Sequence, residues 1–423
     1  MRADTERAHP MDIPGNLSAR ALALIAVGAV AATMLLTACG GSSATAQGTG
    51  SCPATAGVTP KQISYGLLYT ASGTSAESFA PYRAGVDARL GVANAKGGVY
   101  GRTVSYDWAD DTGRVQPNLS AAKQLVTTDK TFAIQEFTTS PQGSAAWLNG
   151  VGVPVVGTSN NATWTQYSNM FSSFNLITSK TGSITTWGTY ARSQGVKKAA
   201  ILLSNLADGS LPVGNELSTS LRAAGISTTM INAEPTILDV PTIVNEIKNS
   251  GADFITGIVD PTEFIQIAVA ARASMPNLKI LSLIGYDPGI FAVGKQLAGM
   301  SISVSYVPFE HPVPAHQVFL NAMAQYAPQQ QPAANEVALI GWADADLMLR
   351  GLQAAGRCPT RQSFITNLRA VPSYDAGGLL ASPVNMRTIF GHLSTCYSMV
   401  QISPDGRRFV PVGSGPTCGQ PIP

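Results

Sequence analysis

Short apolar runs alternate with stretches whose apolar residues recur every third or fourth position, and this alternation continues over most of the chain. Gln62–Tyr69 predicts a first strand. Pro81–Ala95 predicts a helix, with Val86, Leu90 and Ala93 at helical spacing, and the glycines Gly97 and Gly98 suit the positive φ at its end. Residues 104–108 then read as a strand, 119–128 as a helix and 132–135 as a strand. Ser140-Pro141 suits a helix start, and 153–157 is a fourth strand. After Thr178 the pattern resumes with helices over 183–193, 214–224, 240–249 and 263–273, and strands over 199–203, 227–231, 254–258 and 279–283. Residues 338–355 form a long helical stretch, and 397–412 alternate like strands around an Asp405-Gly406 turn. Such regular alternation predicts an α/β fold of two doubly wound lobes, each a parallel sheet with helices on both faces.

The beginning of the chain breaks the pattern. Arg2, Arg7 and Arg20 precede an uncharged run over 21–36 that leads into Leu36-Thr37-Ala38-Cys39. The run suits a signal-peptide core and is short for a bilayer span of ~20 residues. It resembles a bacterial lipoprotein signal with its lipobox, which implies removal of residues 1–38 and acylation of Cys39; an uncleaved anchor is the alternative. In both cases the body lies outside the cytoplasmic membrane. Residues 39–60, rich in Gly, Ser, Thr and Ala, are expected to be a flexible tether.

Removing 1–38 leaves 385 residues, too many for one core and comfortable for two lobes. Charged residues make up only 12% of the chain, against about 25% in an average soluble protein, so the surface is polar but weakly charged. A net charge of +2 with no Lys/Arg cluster argues against nucleic acid and acidic lipid as partners.

Cys52, Cys358, Cys396 and Cys418 remain for two disulfides, with three possible pairings. Cys358 with Cys396 is favoured for its modest loop, and Cys52 with Cys418 as a staple between the ends of the body. No Cys-x-x-Cys is present, and His311 and His316 lie five apart, which argues against a metal. The sequence from Gly289 to Gln296 falls one residue short of a phosphate loop, because Gln296 stands where a hydroxyl is needed; it reads as a helix. No G-x-S-x-G turn occurs, and no cofactor or enzymatic activity is expected.

Several segments resemble the ABC-transporter substrate-binding proteins of the leucine/isoleucine/valine type. They are Gly97-Gly98-Val99-Tyr100-Gly101-Arg102 with the following Asp110-Asp111, Val153-Pro154-Val155-Val156-Gly157-Thr158-Ser159, Gly195-Val196-Lys197-Lys198-Ala199-Ala200, and Gly251-Ala252-Asp253-Phe254. The resemblance covers residues 60–355 and implies a type I periplasmic-binding fold, with ligand held between two lobes joined by three chain crossings. The crossings are expected at 175–178, 306–309 and 371–377. Lobe 1 would comprise 61–177 and 309–372, and lobe 2 would comprise 178–308 and 373–423. The implied role is a monomeric lipoprotein that delivers a small polar ligand to an ABC permease; a sensor reporting to a membrane receptor is the alternative.

Ligands of open α/β sheets sit outside the carboxyl ends of the strands. That rule selects the loop Phe137 to Pro141 and the loop Thr158 to Asn161, whose hydroxyls and free N–H groups suit a carboxylate, although Ser140 and Asn161 are also ordinary helix caps. The resemblance assigns carboxylate binding to Thr139, Ser159 and Asn161, with Ser140 beside them. It assigns ammonium binding to Asp287, with Asp260 as a second acid; both are also common turn residues. Where relatives place tyrosines, this chain has Ser78, Gly209 and Val259 or Asp260. Phe79, Tyr82, Phe137 and Trp164 are left to supply aromatic surface, so an amide, a small organic acid or another amino acid fits as well as a branched-chain one.

Overall fold

The computed structural model describes residues 52–73, 76–173, 180, 182–204, 210–233 and 238–423. Cys39 and its leader, the expected crossing at 175–178, and Gly209 lie outside them.

The first sheet contains β1 (Gln62–Tyr69), β2 (Thr103–Asp110), β3 (Ile134–Phe137), β4 (Val155–Gly157) and β5 (Met170–Phe171) in the order β2-β1-β3-β4-β5, all parallel. Between them run α1 (Ala76–Phe79), α2 (Pro81–Ala95), α3 (Val115–Lys123) and α4 (Ala145–Gly150). The strand β1 is apolar on both faces because both are covered. Ile63, Tyr65 and Leu67 enter one core and Leu68 the other, as the two-residue period of a strand requires.

The chain then builds β6 (Ser183–Ile184), α5 (Thr186–Ser193), β7 (Lys198–Leu203), α6 (Ser210–Ala223), β8 (Ser227–Asn232), α7 (Val240–Ser250), β9 (Phe254–Ile258), α8 (Pro261–Ser274), β10 (Lys279–Ser282) and β11 (Ser301–Val304). It returns through α9 (Pro314–Tyr326), α10 (Glu336–Ala355) and α11 (Arg361–Arg369) and ends in β12 (Cys396–Ile402), β13 (Phe409–Cys418) and β14 (Pro421–Ile422). The second sheet has the order β13-β12-β11-β10-β9-β7-β8, parallel except for β12 and β13. Its parallel part, read β8-β7-β9-β10-β11, repeats the order of the first sheet.

The helix α10 belongs with the first sheet, where it crosses α2 at very short range. A Cβ on Gly85 would lie 1.8 Å from the Ala338 carbonyl oxygen, and one on Gly341 would lie 2.0 Å from that of Tyr82. Only glycine permits this approach, which seats Tyr82 against the middle of α10. Elsewhere Ser305–Val307 pairs with Leu379–Ala381 through two backbone bonds, Val307 N–H to the Leu379 carbonyl and Ala381 N–H to that of Ser305. Residues 371–377 pack on α10 instead, with the Tyr374 hydroxyl donating to the Ala343 carbonyl at 2.9 Å and to Asp346 at 3.0 Å.

Four expectations need correction. The disulfides are Cys52–Cys358 and Cys396–Cys418, not Cys358–Cys396 and Cys52–Cys418. Cys396 and Cys418 face each other across the β12–β13 ladder with Cα atoms 4.0 Å apart, a neighbour relation set by register rather than by loop length. The expected helix over 183–193 begins only at Thr186, because Ser183 and Ile184 pair with the C-terminal strand β14. The stretch read as one helix from Gly289 is two short 3-10 helices, Pro288–Ala292 and Gly294–Leu297, separated where Gly294 takes a left-handed φ of 69°. Finally, residues 52–60 of the expected tether are bound to the body: Cys52 is disulfide-bonded, Val58 bridges Ile63, and Ser64 N–H donates to the Gly57 carbonyl at 2.8 Å.

Candidate functional site

In a parallel sheet of this order the chain leaves toward opposite faces on either side of one strand pair, and a crevice opens at the carboxyl ends of that pair. The pair is β1 and β3 in the first sheet and β7 and β9 in the second.

At the first switch point the polar residues after β1, β2 and β3 converge. Asp111, fully buried, accepts from the Thr70 hydroxyl at 2.8 Å, from Asn118 Nδ2 at 3.1 Å, from Gly113 N–H at 2.9 Å and, very closely, from the Thr138 hydroxyl. Asn118 also donates to Glu136 at 3.0 Å. Burial, with Asp111 nearby adding repulsion against the Asn118 bond, raises the Glu136 carboxyl to about 8, and one of its oxygens has no partner. This network fixes the backbone from which the expected contact residues project. Ser140 N–H donates to the Thr138 hydroxyl at 3.0 Å; the Ser140 hydroxyl reaches the Gly113 carbonyl at 2.9 Å, and that of Thr139 reaches it at 3.3 Å. Ser140 therefore bonds across to the β2 loop and makes no side-chain cap, although Pro141 does open a short 3-10 helix. Thr139 is exposed and Ser140 buried.

A second buried carboxyl supports the loop after β4. Asp344 of α10 accepts from the Tyr82 hydroxyl at 2.8 Å and from the Thr158 hydroxyl at 3.0 Å, and Gln135 donates to Tyr82 at 2.9 Å. Burial raises Asp344 to about 7 against the lowering effect of these bonds. Asn160 Nδ2 donates to the Thr138 carbonyl at 2.6 Å and so joins the two loops. The Ser159 hydroxyl is buried without a partner while its N–H donates to Ser172. Asn161 caps the next short helix by accepting from Thr163 N–H at 3.0 Å, and it donates to Gln142 at 3.3 Å. Three of the four expected aromatics pack together here, with Phe137 stacked on Tyr82 at 4.3 Å between ring centres and 4.4 Å from Phe79; Tyr82 and Phe137 are buried, and Trp164 lies in a separate core cluster.

The second sheet places Asp260 after β9, at its switch point, and Asp287 after β10. Both are exposed, and each caps a helix: Asp260 accepts from Thr262 N–H at 2.9 Å and Asp287 from Gly289 N–H at 2.6 Å. Their loops touch, since a Cβ on Gly285 would lie 3.7 Å from the Pro261 Cβ. Among the described residues no hydrogen bond or ion pair joins either aspartate to the first-sheet loops. The two sides meet one residue earlier. Glu336, at the start of α10, accepts from the Tyr306 hydroxyl and from the backbone N–H of Tyr286. Burial and the neighbouring Asp287 hold Glu336 at about 7 against those bonds. Tyr286 in turn donates to Glu310, accepts from Phe309 N–H at 2.9 Å, and packs on Phe409 at 4.8 Å.

Sequence reasoning thus located the loops but missed the buried Asp111, Asn118, Glu136 and Asp344 behind them. Asp344 had one legible signal, an acid on the apolar face of a long helix.

Several solved binding proteins share this fold. A 4-hydroxybenzoate-bound solute binding protein from R. palustris is 19% identical with a TM-score of 0.71, covering 85% of this chain and 98% of its own. A fatty acid ABC transporter substrate-binding protein from Thermomonospora curvata is 16% identical with a TM-score of 0.70, covering 86% and 94%. An isoleucine-bound branched-chain amino acid transporter substrate binding protein from Streptococcus pneumoniae is 16% identical with a TM-score of 0.66, covering 83% and 99%. No curated protein sequence matches the chain. The periplasmic binding protein family model matches residues 62–407. With two sheets of the same 2-1-3-4-5 order and polar loops at the strand ends of each, the chain belongs to the periplasmic binding protein family, with the type I fold.

Proposed function

We propose that this protein is the extracytoplasmic solute-binding component of an ABC transporter, taking a small polar ligand between the first-sheet loops at Thr139, Ser140, Ser159 and Asn161 and the second-sheet acids Asp260 and Asp287, with Phe79 and Phe137 as an aromatic wall. The observation that carries this reading is the repeated sheet order, which puts a polar loop set at the switch point of each sheet in a chain of this family. Lobe 1 is then residues 61–177 with 309–372, and lobe 2 is 178–308 with 373–423. The paired segments Ser305–Val307 and Leu379–Ala381 favour Leu379–Ala381 over 371–377 as the third crossing, which moves the end of lobe 1 from 372 to 378 and the start of the last part of lobe 2 from 373 to 379.

A ligand touching both sets stabilises the closed form by its differential affinity for the two conformations. The helix α10 is suited to transmit closure, since Glu336 on its first turn meets the Asp287 loop and Asp344, eight residues or about 12 Å further along, holds the loop after β4. The chain binds its solute and leaves it chemically unchanged. Acylated Cys39 tethers it to the membrane, so Cys39→Ala should release the protein into the soluble fraction, and continued membrane association would mean that the N-terminal segment anchors it uncleaved.

The test is calorimetry against a panel of amino acids, amides, and aromatic and short-chain acids. One class should bind with micromolar or better affinity, and Asp287→Ala should weaken a cationic or zwitterionic ligand by about 2 kcal/mol or more. Silence across the panel would overturn the capture role.

A further inference from the structure

We propose that the protein carries a second binding site, for a small organic anion with an apolar body, at the pole of lobe 2 opposite the ligand loops. A cavity of about 470 Å³ opens there at the amino ends of β9, β10 and β11, beside the last turns of α8. Its volume lies in the range of small-molecule sites, roughly 300–1,000 Å³.

The lining has one sign of charge. Arg272, Lys279 and Lys295 face the cavity, and among the described residues no Asp or Glu does. In a chain with only 12% charged residues this convergence is uneven. Among the described residues the ion pairs are Arg89–Asp346 and Arg408–Asp405, so none of the three cations has a carboxylate within reach.

Arg272 is held in place in a way that leaves part of it open. Its Nε donates to the Leu278 carbonyl at 3.2 Å and its Nη1 to the Ala298 carbonyl at 2.6 Å and that of Gln296 at 3.3 Å, while Nη2 has no protein acceptor. Half-buried without a counter-charge, the guanidinium has its pKa lowered by desolvation, a cost that an incoming anion would relieve. Gln194 and Asn277 bring amide groups to the lining, Gln401 is engaged with the Gly299 carbonyl and the Ser301 hydroxyl, and Phe254, Leu278 and Ile280 add apolar surface. A fixed guanidinium, two lysines and apolar side chains suit a phosphate monoester or a similar anionic head on a hydrocarbon body. A free solute and a lipid headgroup share that chemistry.

The site is tested on the full chain with phenyl phosphate, with water-soluble dihexanoyl phosphatidylglycerol, and with the Lys279→Ala/Lys295→Ala variant. Phenyl phosphate should bind the wild type, more weakly by several-fold at about 0.3 M salt, where screening shortens to within ~6 Å. Its affinity should fall at least tenfold in the double variant and stay unchanged in Asp287→Ala. If the short-chain lipid competes with phenyl phosphate, the natural ligand is a headgroup. Phenyl phosphate binding without such competition assigns a free solute. No phenyl phosphate binding, or binding that survives the double lysine substitution, overturns the site.

Discussion

The two sheets share one strand order, yet they present their loops in opposite ways. At the first switch point the exposed Thr139 stands on a buried lattice of Thr70, Asp111, Asn118, Glu136 and Thr138, with Asp344 supporting the next loop. On the second sheet Asp260, at the switch point, and Asp287, after β10, are exposed helix caps; Asp260 rests on its own turn, while the Asp287 loop is held through Tyr286 by Glu336, Glu310 and Phe309. On the proposed reading, the first wall is fixed by buried carboxyls beneath its loops, and the second presents its two acids on exposed side chains.

Breaking the lattice should have the largest effect. Asp111→Ala leaves Thr70, Thr138, Asn118 and Gly113 N–H without their shared acceptor in a buried place, and chemical denaturation should show a loss of about 3–5 kcal/mol. A loss under about 1 kcal/mol would mean that the first wall is no stiffer than the second.

Next in size is the covalent staple of the second sheet. Replacing Cys396 and Cys418 by serine frees a loop of modest length and should cost about 3 kcal/mol, read as a lower unfolding midpoint; reductant should lower the wild type further, because it also opens Cys52–Cys358. Unchanged stability would mean that the β12–β13 ladder holds without it.

Acidity sharpens the contrast further. Burial raises Glu136 to about 8 and Asp344 to about 7, so the folded state holds these protons more tightly than the unfolded chain does. Their stabilising effect is fully present near pH 4 and is lost as pH rises through 7 to 8. At about 1.4 kcal/mol per pH unit for each group, stability should therefore fall by several kcal/mol between pH 5 and pH 8. In Glu136→Gln the slope should flatten, and an unchanged slope would remove Glu136 as its source. Asp110 pulls the other way. It sits at the rim, where Ser72 and nearby backbone N–H groups outweigh its partial burial and lower its pKa, and its exposure keeps the opposing contribution small.

The smallest effect belongs to the second wall. Asp260→Ala removes one helix cap and should cost about 1 kcal/mol, with the rest of the fold undisturbed. A cost equal to that of Asp111→Ala would erase the distinction between the walls.

Much of this architecture was legible before any coordinates. The bounds of β1, α2 and β9 coincide with the apolar runs that predicted them, because each is flanked by strong turn residues and each buries a periodic face. The loops bearing Thr139 and Ser159 followed from the rule that ligands sit at strand ends, and Asp287 from the family resemblance. Less could be read where a residue's role depends on a distant partner. Ser183 and Ile184 become a strand only because the last residues of the chain return beside them, and Cys358 meets Cys52 across 306 positions of sequence.

The sequence by itself determined the alternation of elements, and through it the two doubly wound sheets and the strand ends where a ligand would sit, because hydrophobic period and turn chemistry are local properties. Tertiary structure decided the disulfide pairing, the placement of Asp344 beneath Thr158, and the gathering of Arg272, Lys279 and Lys295 around one cavity. Each of these depends on how separate elements pack against one another, and the close packing of whole helices and sheets, rather than any short-range preference, makes these residues neighbours.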